Sequence, residues 1–372
     1  MLDLVGNPHG HMPVIHVGGT NGKGSVVHLV YAALRAAGFR VARYTSPHLV
    51  DVRERMVVDD RPISRAAFAM WTNTLRHAID ETGASFFEAT TAIAFADFAA
   101  RHADIAVVEV GLGGRLDSTN VVVPLVSAVT HVALEHADYL GNDLLGIARE
   151  KAGIAKPGTP FVIGEPDSAL AAELETAALA VGATPVRVPR DALYDGALGP
   201  AGPFQRRNAA IARAVLCALP PAHRPDDDAM RRGFCAARVP GRYDRRGRWL
   251  FDVAHNPDGM RVLAGALAAD PPPRPLHVLV GVLGDKAWRE MLDLLLGVAD
   301  DIWATMPVSA PADRRWDLAA VAHAYGDRLH YQPDFDSALT EVHDGAGTVL
   351  VCGSFHTVGD AMARLPAFAP RG

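Results

Sequence analysis

Glycines at positions 18, 19, 22 and 24, interrupted by Thr20 and Asn21 and followed through Lys23 to Ser25, form the loop best suited to chemistry in this chain. Glycine lets backbone N–H groups turn inward around an anion with no Cβ in the way, and a helix N-terminus behind such a loop favours negative charge. Lys23 would then reach terminal phosphates, and the Ser25 hydroxyl would ligate Mg²⁺. The spacing differs from the commonest phosphate loop because Gly24 stands between Lys23 and Ser25. A bare glycine turn is the plain alternative. The apolar run Val14–Val17 before the loop and the helical pattern after it favour the phosphate reading.

A second group of candidates lies in VVEVGLGGRLDSTNVV, Val107–Val122. Glu109 ends an apolar strand pattern and precedes a glycine turn with Arg115, Asp117 and Asn120, so charged groups collect where an α/β sheet binds ligands. Glu109 is suited to hold a second metal or to stand in the outer shell of the first, and two valines before it imply burial. A third stretch, His131–Ile154, carries His136, a neutral imidazole of the type that ligates metals, and Lys151 in an apolar Ala-Gly-Ile context.

These residues need strands to present them. Val14–Val17 reads as a strand, Ser25–Ala37 as a helix closed by Gly38, and Val41–Thr45 as a second strand, an α/β alternation. The polar segment Ser46–Met56 interrupts it as a loop at a strand end. Helical patterns at Ser64–Glu81 and Glu88–His102 lead to strands at Ile105–Val110 and Leu125–Thr130 and a helix at Leu144–Ile154. A second α/β block begins near Pro240, with strands at Trp249–Val253, Leu276–Gly281, Asp301–Thr305 and Thr348–Cys352. Helical patterns lie between and after them at Asp258–Ala269, Trp288–Val298, Asp317–Tyr325, Phe335–Val342 and Thr357–Leu365. Strands separated by helices predict parallel pairing with right-handed crossovers.

At 372 residues the chain exceeds the reach of one hydrophobic core, so two domains are expected, 1–239 and 240–372. With 49% hydrophobic and 21% charged residues the composition is that of a soluble globular protein, and a net charge of −6 gives no footprint for nucleic acid. No apolar run is long enough to span a membrane, and the N-terminus has no signal-peptide pattern. Cys217, Cys235 and Cys352 stand far apart, which suggests neither a disulfide framework nor a zinc knuckle. A cytoplasmic protein is expected.

GTNGKGS, Ser46–Leu49, Phe87–Glu88, VEVGLGGRLDSTN, EHADYLG, EKAGI, QRRNAA, VPGRY and DVAHNPDG occur here in the order seen in folylpolyglutamate synthase/dihydrofolate synthase. Over nearly its whole length the chain resembles that family, which is itself similar to the Mur ligases. The resemblance implies an α/β, Mur-ligase-like fold: an N-terminal ATPase domain with a parallel sheet and a smaller C-terminal Rossmann-like domain. It implies an ATP-dependent amide ligase that converts a carboxylate to an acyl phosphate, from which the amine of an amino acid, glutamate, then displaces phosphate to form an amide. By the same resemblance Gly19, Thr20, Asn21, Gly22, Lys23, Gly24 and Ser25 bind ATP, with Lys23 catalytic at the β- and γ-phosphates. Ser25, Glu109, His136 and Lys151 hold two Mg²⁺ ions, Lys151 as a carbamate, since a bare ammonium would repel a cation while a carbamate supplies oxygen ligands. Asn208, Arg242, Asp252 and His255 match residues that meet the nucleotide at the domain junction. Ser46, Phe87 and Glu135 fall on the acid substrate's side and Ser354 where the amino acid binds. The family implies a monomer.

Three features set this chain apart within that pattern. Only about a dozen residues precede the first strand, the stretch between Gly164 and Asn208 is compact, and Glu135 stands where the family commonly has aspartate before the metal-binding histidine. The expected activity is addition of glutamate to dihydropteroate, tetrahydrofolate or both. A ligase of the same mechanism joining another aromatic or heterocyclic acid to an amino acid, and a nucleotide-binding regulator without turnover, are the alternatives. The intact Lys23, Ser25, Glu109, His136, Lys151 and Asp252 set argues against the regulator.

Overall fold

Val14–Gly18 (β1), buried at every position, is flanked by Ile105–Glu109 (β5) and Val126–Val129 (β6) in the middle of the first sheet. In the computed structural model residues 1–134, 140–343 and 345–365 are described. The sheet has eight strands in the order β4-β3-β2-β5-β1-β6-β7-β8, with β2 at Val41–Tyr44, β3 at Met56–Val58, β4 at Arg61–Pro62, β7 at Pro160–Ile163 and β8 at Thr184–Arg187. The apolar runs of β1, β5 and β6 reflect helices covering both faces, as expected of a parallel sheet. Helix α1, Lys23–Ala36, starts directly from the glycine loop. Helices α2 (Arg65–Thr82) and α3 (Phe86–Ala100) precede β5, α4 (Leu144–Ala152) precedes β7, and α5 (Ser168–Ala180) joins β7 to β8.

The strand order changes direction at β1: the chain runs to β2 on one side and later to β6 on the other. This is the topological switch point where open α/β sheets leave a crevice at their strands' C-terminal ends. Helices α6 (Phe204–Cys217) and α7 (Asp227–Ala236) then pack on α1. Gly233 of α7 permits the close approach, because a Cβ there would lie 2.4 Å from the Ala33 Cα.

The second sheet is formed by residues 244–352 and has six strands in the order β13-β12-β11-β14-β10-β9. These are β9 (Asp244–Arg246), β10 (Trp249–Phe251), β11 (Leu276–Val280), β12 (Asp301–Thr305), β13 (His330–Gln332) and β14 (Thr348–Cys352). Helices α8 (Pro257–Ala269), α9 (Trp288–Leu296), α10 (Leu318–Tyr325), α11 (Phe335–His343) and α12 (Phe355–Arg364) alternate with the strands after β10. Its core includes Met260, Leu263, Val278, Val280, Leu292 and Trp316 on one side of the sheet, and Phe251, Phe335, Val351 and Met362 on the other.

Parallel pairing holds except at two edges. β9 pairs with β10, and β3 with both β2 and β4, in antiparallel fashion. The second case corrects the expectation of a loop running to Met56. Asp51 and Glu54 close a capping box around a single turn, Val52–Arg55, and Met56 begins β3. Asp59 and Asp60 then take positive φ angles of 51° and 61° in the β3–β4 turn, and Arg35 of α1 pairs with Asp59 at 2.7 Å.

Candidate active site

The phosphate loop runs from the end of β1 to the first residue of α1, and its shape depends on contacts beyond itself. Gly19 and Gly22 have φ of 136° and 87°, and a side chain at Gly19 would collide with Thr130 after β6. The Thr20 amide donates to the His131 carbonyl at 2.7 Å, and the Thr130 hydroxyl donates to the Asn21 carbonyl at 2.7 Å. Lys23 folds back over its own loop, its amine donating to the Gly19 and Thr20 carbonyls at 2.9 and 3.0 Å. Ser25 is buried in the first turn of α1. Asn208 of α6 approaches from the other side, where a Cβ on Gly22 would lie 2.8 Å from its Oδ1.

Glu109 ends β5 beside this loop and is 4% exposed. Burial raises the pKa of its carboxyl, opposed by the charges of Lys23, Arg242 and Arg43, while its Oε2 accepts from the Ser46 amide at 3.3 Å. A carboxylate so desolvated beside the Ser25 turn suits a divalent cation. Mg²⁺ typically takes one or two carboxylates together with substrate phosphates and water, and Ser25 with Glu109 fits that habit. Among the described residues no group of three His, Cys, Asp or Glu side chains forms a protein-only metal cage.

The second domain supplies the opposite wall. Asp252, following β10, accepts from the Tyr243 and Ala254 amides at 2.8 Å each and thereby shapes the turn that carries His255. Burial raises the Asp252 pKa, opposed by Arg242. Burial likewise lowers that of Arg242, opposed by Asp252 and Glu109. The Arg242 guanidinium lies over the Phe355 ring at 4.7 Å, and His255 bonds the Val253 carbonyl through Nδ1 at 2.9 Å. Ser354 caps α12, accepting from the Thr357 amide at 3.0 Å.

Across one cleft of about 1040 Å³ the structure brings together Thr20–Ser25, Ser46, Glu109, Asn208, Arg242, Asp252, His255 and Ser354. Of the adjacent Phe86 and Phe87, it is Phe86 that lines the cleft, with the Arg55 guanidinium 5.2 Å from its ring centre. Phe87 instead packs on Gly111, where any Cβ would meet its ring, and on Tyr44 at 6.0 Å. Successive helical residues point about 100° apart, so one of the pair faces the cleft. Lys151 is 3% exposed in the last turn of α4, its backbone against Gly114 of the glycine turn after β5. Glu135 and His136 lie outside the described residues.

Sequence reasoning passed over other lining residues. His48 accepts from Arg55 Nε at 3.0 Å, and Lys286 and Arg314 both pair with Asp285, at 3.3 and 3.0 Å, on the second domain's wall. Lys286 stands shortly after an apolar strand that ends in glycine, the same signal that marks Lys23.

Two α/β domains that close a phosphate loop against a carboxylate-bearing turn define a nucleotide-dependent group-transfer enzyme. Residues 17–181 match the Mur ligase middle domain, and residues 239–355 match the Mur ligase glutamate ligase domain. The chain is 36% identical to a probable bifunctional folylpolyglutamate synthase/dihydropteroate synthase of Halobacterium salinarum over 98% of its own length, and it spans 48% of that protein. It superposes with a TM-score of 0.88 on Escherichia coli FolC in complex with DHPP and ADP, at 32% identity, covering 98% of this chain and 92% of that one. A bifunctional folylpolyglutamate synthase/dihydrofolate synthase with Mn, AMPPNP and L-glutamate bound gives 0.86 at 33% identity, covering 98% and 91%. The chain belongs to the folylpolyglutamate synthase/dihydrofolate synthase family of Mur ligases.

Proposed function

We propose that this protein is an ATP-dependent ligase that adds glutamate to a folate-type acid, dihydropteroate or tetrahydrofolate, through an acyl phosphate. The observation that carries the reading is the facing of Lys23, Ser25 and Glu109 by Arg242, Asp252 and His255 across the cleft. Attack of a carboxylate on a γ-phosphate gathers negative charge, and fixed positive groups aimed at that charge are the main source of catalysis in such transfers. Lys23 is within a side-chain swing of the phosphates its loop would hold, and it exchanges the Gly19 and Thr20 carbonyls for them. Arg242, kept in place by the Phe355 ring, adds a second positive charge from the other domain. Asp252 holds the backbone turn that presents His255, and apposition of the walls keeps water from the acyl phosphate.

Ser25 and Glu109 would hold Mg²⁺, which when bound offsets phosphate charge. A second ion and a carbamate on Lys151, with His136 as a further ligand, belong to the same proposal. Lys151 is buried in the last turn of α4, and a carbamate there, formed when its deprotonated amine bonds to CO₂ with release of a proton, would supply oxygen ligands to a cation. Lys286 and Arg314 supply the cationic groups an amino acid's carboxylates require.

The test is phosphate release from ATP and Mg²⁺ over a matrix of acids and amino acids. Release that needs glutamate together with dihydropteroate or tetrahydrofolate supports the proposal. Release with a different aryl acid alone would reassign the acid, and none with any pair would remove the ligase reading.

A further inference from the structure

His131 stands just beyond β6, and both of its ring nitrogens face carboxylates. Nδ1 lies 3.0 Å from Glu165 Oε2, after β7 of the same domain. Nε2 lies 3.2 Å from Asp258 Oδ2, in the first turn of α8 of the other domain. Only an imidazolium has an N–H on both nitrogens, so only the charged form donates to both partners. Glu165 is anchored in turn, accepting from the Val132 amide at 2.6 Å and the Asp167 amide at 2.9 Å. Asp258 Oδ2 also accepts from Asn21 Nδ2 at 2.8 Å, and Asn21 bonds Asn256, the cap residue of α8. His131 is therefore tied to the phosphate loop twice: through its own carbonyl to Thr20, and through Asp258 to Asn21.

We propose that His131, as an imidazolium between Glu165 and Asp258, is a positioning residue that holds the Asp252–Asp258 turn of the second domain on the phosphate loop and so sets the affinity for nucleotide. The residue touches neither the reacting carboxylate nor the phosphates in this assignment; it acts through Asn21 and Asp258. The inference rests on the cleft binding a nucleotide, as proposed above.

The charges around the ring are consistent with this. Arg261 of α8 lies 3.8 Å from Asp258, Arg207 of α6 is attracted to Glu165 and donates to the Gly164 carbonyl, and the Lys23 amine is held on the loop carbonyls. Burial pulls the His131 pKa down, but the hydrogen bonds to Asp258 and Glu165 more than offset it and raise it to about 9. Asp258 is held below the usual carboxylate range, chiefly by His131.

The experiment measures ADP affinity with Mg²⁺ by calorimetry from pH 7 to 10, alongside KM for ATP, for the native chain, His131→Gln, Asp258→Asn and the double variant. Glutamine donates through one group only and does not titrate. The native chain should lose roughly tenfold in ADP affinity as pH rises through about 9. His131→Gln should show the weakened affinity already at pH 7 with a flat profile, KM for ATP rising more than kcat falls, and the double variant should be no worse than either single one. Native affinity in His131→Gln at every pH, or additive losses with an unchanged pH profile, would overturn the proposal. Calorimetry needs no acid substrate, so a wrong folate assignment leaves the test intact. Failure of the native chain to bind ADP at any pH would sink the nucleotide reading and this inference with it.

Discussion

Lys23 carries two roles that one substitution separates. Its amine donates to two carbonyls of its own loop, and it is the positive charge that loop itself offers to the expected phosphates. Lys23→Ala should lower kcat about 10²–10³-fold, the scale of removing one preorganised donor. Circular dichroism and the unfolding midpoint should stay close to native, because the side chain is only part-buried. Product formation at the native rate would end the ligase proposal. Lys151 tests the carbamate separately: Lys151→Ala should lose activity, and acetate or formate should restore part of it by supplying the missing carboxylate oxygens. Activity unaffected by the substitution would exclude Lys151 as a source of metal ligands.

At the scale of elements, the catalytic loop depends on a helix packed behind it. α1 starts at Lys23, and Gly233 lets α7 lie on its Ala33 backbone. Gly233→Val should cost roughly 1–3 kcal/mol by overpacking, seen as a lower unfolding midpoint and weaker ADP binding together. A midpoint within about 1 °C of native would show that α7 can shift without loss. Elements with strong local patterns were legible from the chain alone. β5 was visible in its valines, α1 in its glycine-bounded apolar period, and β14 in Thr348–Cys352. The hairpin β3–β4 was not, because its turn takes two aspartates with positive φ instead of glycine and leans on Arg35 of α1. β8 was missed because it is an exposed edge containing Pro185, and α5 because its alanine-rich sequence has little contrast between faces. The site was legible where one motif holds neighbouring ligands. His131 was not, since its two carboxylates come from distant segments and their meeting exists only in the folded pair of domains.

For the whole molecule, the cleft belongs to both domains and so does part of the stability. A histidine whose pKa rises on folding stabilises fully below its ordinary value of 6.5, and that contribution is lost as pH climbs through about 9. The native unfolding midpoint should therefore fall between pH 7 and 9.5 by more than that of His131→Gln; parallel curves would show that the pair of carboxylates contributes nothing to folding. No helix among the described residues is long and apolar enough to cross a membrane. The borders of the two sheets bear on how copies of the chain meet. Each border strand is short: β4 has two residues including Pro62, β13 and β9 have three, and β8 has four including Pro185. β9 also spends its charge internally, Arg246 pairing with Asp244 at 2.8 Å. Such borders offer a neighbouring chain few free ladder groups, and proline removes donors where they would be needed. Joining of copies border to border is thereby discouraged, and sedimentation at rising concentration should show one species of about the chain mass of 39.5 kDa. A dimer that Pro62→Val strengthens would show instead that the border is an association surface held in check by a single ring.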